Sequence, residues 1–121
     1  MKAARGNRKE LIGDGEMVMR NRRQKSARDI VRTLKQHNTE VRKRFHIKKI
    51  GVFGSYVRNE QKKGSDIDIL VEFEPGYKTF DNYMDFKFFL EALLHSKVDL
   101  VVKTAIRDEI RERVLSEAVY V

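Results

Sequence analysis

The chain contains no cysteine, which excludes disulfide bridges and thiolate metal centres. Its three histidines, His37, His46 and His95, form no ligand pattern such as two imidazoles on one helix face, so any metal bound here is bound by oxygen. No apolar stretch is long enough to cross a bilayer, and the basic N-terminus lacks the apolar segment of a secretory signal. A soluble, cytoplasmic chain with no membrane role is expected. There is no internal repeat or low-complexity tract, and no arginine–aromatic interleaving or helix-turn-helix pattern of a dedicated nucleic-acid module.

Acidic charge is scarce only at the start. The net charge is +8 over 121 residues, but residues 1–50 carry 16 Lys/Arg against 5 Asp/Glu, while residues 51–121 carry 10 against 13. Residues 1–25 mix Arg and Lys with Gly6, Gly13 and Gly15 and show no sustained apolar periodicity, so they read as a mobile basic arm. Such an arm suits a solvated surface better than a nucleic-acid site, and nucleic acid is not the favoured partner. Residues 26–121 are long enough for one domain with one modest core.

What the chain does have is a stretch from Ile50 to Phe73. The apolar run Ile50, Val52, Phe53 leads into Gly54-Ser55, and nine residues later comes Ser65-Asp66-Ile67-Asp68-Ile69-Leu70-Val71-Glu72-Phe73. Both runs read as strands. Asp66 and Asp68 therefore project from one strand face, with Cα atoms roughly 7 Å apart. Asp is poorly suited to strands, so something other than propensity put two in one strand. Two carboxylates at that spacing suit hard cations. The Gly-Ser turn exposes free N–H groups and a hydroxyl at the start of a short helix, a seat for phosphate oxygens. Since Mg²⁺ pairs carboxylates with substrate phosphates, the turn and the Asp pair read as two halves of one site. Arg58, one helical turn beyond Ser55, faces either those phosphates or a carboxylate.

These residues resemble the nucleotidyltransferases of the DNA polymerase beta-like fold, whose signature is Gly-Ser, a spacer and Asp-x-Asp. The match lies at Gly54-Ser55 and Ser65-Asp66-Ile67-Asp68, and the short length is similar to the minimal nucleotidyltransferases, the antitoxins that pair with HEPN ribonuclease toxins. The resemblance runs from about Lys25 to Val121, including the ending Leu115-Ser116-Glu117-Ala118-Val119-Tyr120-Val121. It implies an α/β fold with a short mixed sheet and packed helices. It also implies a third carboxylate, fitted by Asp99 in Val98-Asp99-Leu100-Val101-Val102.

By the same resemblance Asp66, Asp68 and Asp99 are the catalytic and metal-binding set for Mg²⁺ (or Mn²⁺). Gly54, Ser55, Arg58 and Ser65 are the nucleotide-binding set, and ATP is the nucleotide. The implied reaction moves AMP to a hydroxyl, a tyrosine of a HEPN toxin, within a hetero-oligomer with that toxin. The alternatives are a non-catalytic toxin-masking protein and an RNA or small-molecule nucleotidyltransferase. Little sequence lies beyond the catalytic fold, so the acceptor is expected to bring its own docking surface. Where the family reads Arg-Gly-Glu after the turn, this chain has Arg58-Asn59-Glu60, and Asn tolerates the left-handed conformation a glycine would supply.

The remaining pattern predicts one amphipathic helix from Ala27 through Phe45 (Ile30, Val31, Leu34, Val41, Phe45), capped by Ser26 with Asp29. It also predicts strands at 46–53, 66–73 and 98–102 and turns at 61–64 and 74–77. A helix over 79–94 carries Phe80, Tyr83, Met84, Phe86, Phe89, Leu90, Leu93 and Leu94. A last helix over 104–118 turns Ile106, Ile110, Val114 and Leu115 inward.

Overall fold

The computed structural model describes residues 26–121; the basic arm expected over 1–25 lies outside the described residues. In chain order the elements are α1 (Ala27–Gln36), α2 (Asn38–Phe45), β1 (Ile47–Phe53), a 3-10 turn (Gly54–Tyr56), β2 (Ile67–Phe73), α3 (Phe80–Leu94), β3 (Val98–Val102), a second 3-10 turn (Lys103–Ala105), α4 (Asp108–Glu117) and β4 (Val119–Tyr120).

The four strands form one mixed sheet in the order β3-β2-β1-β4. β1 is antiparallel to β2 and β4, and β2 is parallel to β3. Parallel neighbours need a long crossover, and α3 supplies it. On one face Ile50 and Val52 of β1, Ile67, Ile69, Val71 and Phe73 of β2, and Val98 and Leu100 of β3 are buried against Ile30, Leu34, Val41, Phe45, Phe86, Leu90 and Leu94 from the first three helices. On the other, Leu70 packs with Ile106 and Val114, flanked by Phe53, Val101, Leu115 and Ala118. The alternation along β2 assigns each residue to its layer. Ile47 and Ile50 are both buried at a spacing that strict alternation forbids, and the register shift between Ile47 and Lys49 absorbs the odd residue.

Four expectations are corrected. The single helix over 27–45 is two helices broken at His37 (φ −108, ψ 9), because no apolar residue lies between Leu34 and Val41 to hold a straight helix on the core. Its start is as expected, with Ser26 and Asp29 forming a reciprocal capping box. The last helix begins at Asp108 instead of 104, after a 3-10 turn, and Ile110 is exposed. Phe80, placed in the apolar stripe of α3, is 77 % exposed, since it is the first residue of the helix and overhangs the core edge. The strand β4 was not foreseen: two residues carry no periodicity, and pairing with β1 alone defines them.

Several local features follow the sequence closely. Asn59 takes φ 59, in the left-handed region. Pro75-Gly76 makes the expected turn, with Gly76 at φ 88 and Tyr77 N–H bonded to the Glu74 carbonyl at 3.1 Å. Thr79 caps α3 through the Asn82 N–H at 3.2 Å. Among the described residues no helix is long and apolar enough to cross a membrane.

Candidate active site

The C-terminal end of β1 and the N-terminal ends of β2 and β3 lie at the same edge of the sheet, because β1 runs against its parallel neighbours. Register brings the site residues together there: Phe53 pairs with Asp68, and Asp68 pairs with Asp99. Residues directly opposite point to the same face. Asp68 and Asp99 are thus neighbours on the face that α4 covers further along, at Leu70. Asp66 stands one residue before β2 and is exposed, as is Asp99, while Asp68 is half-buried.

Gly54 has φ 81, and a Cβ there would overlap Asp68 Oδ2 and lie 2.8 Å from its Cγ. Only glycine allows the turn to sit against the carboxylate. Burial, and then the charge of Asp99, push the Asp68 carboxyl up to about 6, opposed by a hydrogen bond from the Ser55 N–H. Asp99 lies opposite Asp68 in the sheet register, and Asp66 adds a smaller push of the same sign.

That crowding of carboxylates marks where a cation belongs chemically. The donors are all carboxylate oxygens, the type that Mg²⁺ and Mn²⁺ select, and a divalent ion would relieve their mutual repulsion. Among the described residues, no three such side chains converge closely enough to cage a metal as they stand. The fit is therefore one of donor chemistry and register, with substrate oxygens left to complete the shell.

Of the N–H groups of the turn, expected to be free, that of Gly54 is engaged. It donates to Glu117 Oε2 at 2.7 Å, while the Ser55 backbone acts on the Asp68 carboxyl and holds its pKa down. Arg58 faces carboxylates: its Nη1 donates to both Glu117 oxygens (3.2 and 3.0 Å) and its Nε to Glu60 at 3.0 Å. Ser65 has a local role, its hydroxyl accepting from the Lys62 N–H at 2.8 Å to close the loop ahead of Asp66. Buried Tyr56 braces the same loop, its hydroxyl 3.4 Å from the Ser65 carbonyl oxygen. Tyr83 of α3 donates to the Leu100 carbonyl at 2.6 Å; burial, and then the nearby Asp99 charge, raise its pKa.

Glu117 was missed as a site residue. It lies 63 residues from Gly54 along the chain, and nothing in its local pattern separates it from the solvated charges of α4.

The nucleotidyltransferase domain family matches residues 34–121. The protein adenylyltransferase MntA of Thermococcus cleftensis is 46% identical over 93 residues, covering 77% of this chain and 93% of that protein. A solved structure of a protein designated a minimal nucleotidyltransferase superposes with a TM-score of 0.66 at 33% identity, covering 78% of this chain and 95% of that one. The complex of a tri-AMPylated Shewanella oneidensis HEPN toxin with its MNT antitoxin superposes with a TM-score of 0.54 at 19% identity, over 75% of this chain and 70% of that one. This last likeness is one of fold.

Proposed function

The chain belongs to the nucleotidyltransferase family in its minimal form, and from that membership we propose that it is a protein adenylyltransferase, moving AMP from ATP to a tyrosine hydroxyl of a HEPN-type toxin. The observation that carries the reading is the register of Asp68 opposite Asp99 with Gly54 packed on Asp68. One turn and one carboxylate pair then serve the two ends of a triphosphate. The relative with the same activity in its name matches over nearly its whole length. The HEPN toxin of the Shewanella complex carries AMP while bound to its antitoxin.

In this reading Asp66, Asp68 and Asp99 hold the divalent cation. When bound, Mg²⁺ neutralises phosphate charge and lowers the pKa of the attacking hydroxyl. Ser55 offers its hydroxyl to the terminal phosphates, and Gly54 lets them approach the backbone without a Cβ in the way. Arg58 contributes positive charge at the edge of the turn, and Ser65 shapes the loop that presents Asp66. The tyrosine oxygen attacks the α-phosphorus, the bond to the pyrophosphate oxygen breaks, and pyrophosphate leaves. Asp99, exposed at the sheet edge, is open to an acceptor carried on another protein and takes the tyrosine proton.

The test is to incubate the chain with a HEPN-type toxin, ATP and Mg²⁺ and to weigh the toxin by intact mass spectrometry. Whole AMP increments on the toxin, lost in Asp68→Asn, are expected. An unmodified toxin alongside efficient nucleotide addition to an RNA 3′ end would replace this reading with an RNA-directed transferase. An unmodified toxin that is nonetheless bound and inhibited would make the chain a masking protein.

A further inference from the structure

Glu117 sits where a phosphate is expected. Its carboxylate takes the Gly54 N–H of the turn at 2.7 Å and the Arg58 guanidinium beyond it at 3.0 Å, and only 15% of its side chain is exposed. An anion in that place is either a stand-in that the nucleotide must displace or a fixed strut against which the turn is built.

The surroundings of Glu117 decide between them. α4 closes with Ala118 N–H on the Val114 carbonyl at 3.1 Å, and β4 follows at once, pairing Tyr120 with Gly51 and Val119 with Val52. Val121 N–H bonds the Ile50 carbonyl at 3.0 Å, and Arg42 donates from Nη2 to the Val121 carbonyl at 2.9 Å and from Nη1 to the Lys48 carbonyl. The Tyr120 ring lies so close over Gly51 that a Cβ there would meet it at 3.2 Å. A segment tied on both sides of Glu117 is not poised to leave. The strand it pairs with, β1, is the one that ends in Gly54, so the strap and the turn share one frame.

We propose that Glu117 is a positioning residue for nucleotide binding: it fixes the Gly54-Ser55 turn through the Gly54 N–H and orients Arg58 so that the side of the guanidinium away from Glu117 faces the phosphates. The proposal rests on the adenylyltransferase reading for what the turn binds. Glu117 touches neither nucleotide nor metal. The local consequence is geometric: with Gly54 N–H held from the α4 side, the phosphates are left to the remainder of the turn, the Ser55 hydroxyl included.

Two measurements test this, one of which needs no nucleotide. Residue-resolved amide hydrogen exchange of the full chain is compared for wild type, Glu117→Gln, which keeps an acceptor of the same length, Glu117→Asp, which is one methylene too short to hold both donors, and Glu117→Ala. Faster exchange at Gly54 by about tenfold or more is expected in Glu117→Ala and Glu117→Asp, with near-wild-type exchange in Glu117→Gln. Steady-state adenylylation should then show the ATP KM raised by about tenfold in the Ala and Asp variants with kcat far less affected, rescue by Gln, and no further loss when Arg58→Ala is added.

If Glu117→Ala does not melt cooperatively, the milder Asp variant carries the same prediction. Unchanged Gly54 exchange in folded Glu117→Asp and Glu117→Ala would overturn the proposal. So would a lower ATP KM in either, which would make Glu117 a competitor for the phosphate seat. A wild type that transfers no AMP, with Gly54 exchange responding as described, would overturn the adenylyltransferase reading and leave Glu117 as the residue that sets the turn.

Discussion

Asp68→Asn should make the metal-free protein more stable at neutral pH, not less. A free carboxyl of this type titrates at 3.8 and the native one at about 6, a difference equivalent to about 3 kcal/mol at about 1.4 kcal/mol per unit. Asp68 is only half-buried, and solvent screening cuts this to about 1–1.5 kcal/mol. The asparagine keeps an oxygen for the Ser55 N–H while removing the charge that Asp99 and Asp66 oppose. Because the native carboxyl holds its proton to higher pH than the unfolded one, wild-type stability falls as pH rises from about 4 to about 6 and then levels. The gain from Asp68→Asn is therefore near zero at about pH 4 and complete above about pH 6.5. In a domain of this size it should appear as a melting temperature higher by about 5 °C, measured by thermal denaturation in chelator at pH 4 and pH 7.5. Mg²⁺ should raise the wild-type melting temperature and leave that of the variant unmoved, since binding to the native state alone stabilises it. An Asp68→Asn protein no more stable than wild type at pH 7.5 in chelator, or a gain equal at both pH values, would refute the reasoning.

Gly54→Val should abolish nucleotide binding and destabilise the fold by about 2 kcal/mol or more, because φ 81 and the overlap with Asp68 are both intolerable to a branched side chain. Ser55→Ala should weaken ATP binding by about tenfold in calorimetric titration while leaving the melt unchanged. Phe86, fully buried against Phe45 with ring centroids 5.1 Å apart, should cost about 3–5 kcal/mol as Phe86→Ala. Exposed Phe80 on the same helix should cost under about 0.5 kcal/mol as Phe80→Ala, and equal losses in urea denaturation would contradict the layering described. Ser26→Ala removes the side-chain half of the α1 capping box and should cost about 1 kcal/mol in the same denaturation series.

The sequence alone was enough for the alternation of one strand and for several local caps and turns. Alternation along 67–73 assigned Ile67, Ile69, Val71 and Phe73 to one side and Asp68 to the other, because side-chain direction in a strand is set by parity and not by partners. Ser26 with Asp29, Asn59 and Pro75-Gly76 specified a cap and two turns through their own backbone preferences. The resemblance at Gly54-Ser55 and Asp66-x-Asp68 carried the family.

The tertiary structure decided what depends on partners distant in the chain. The break at His37 falls in the stretch between Leu34 and Val41 that offers the core no apolar residue. Ile110 and Phe80 lie in the first turns of their helices and are exposed, which helical periodicity alone does not reveal. β4 exists only by pairing with β1, since a two-residue strand has no pattern of its own to read. The engagement of the Gly54 N–H belongs to the same class. Glu117 is an ordinary helical glutamate in sequence, and only the return of the C-terminal segment along β1, held at Ile50, Gly51, Val52 and Arg42, delivers its carboxylate to Gly54. A hydrogen bond that closes a loop of 63 residues leaves no trace in local periodicity, because it is fixed by the sheet order and not by the residues that flank it.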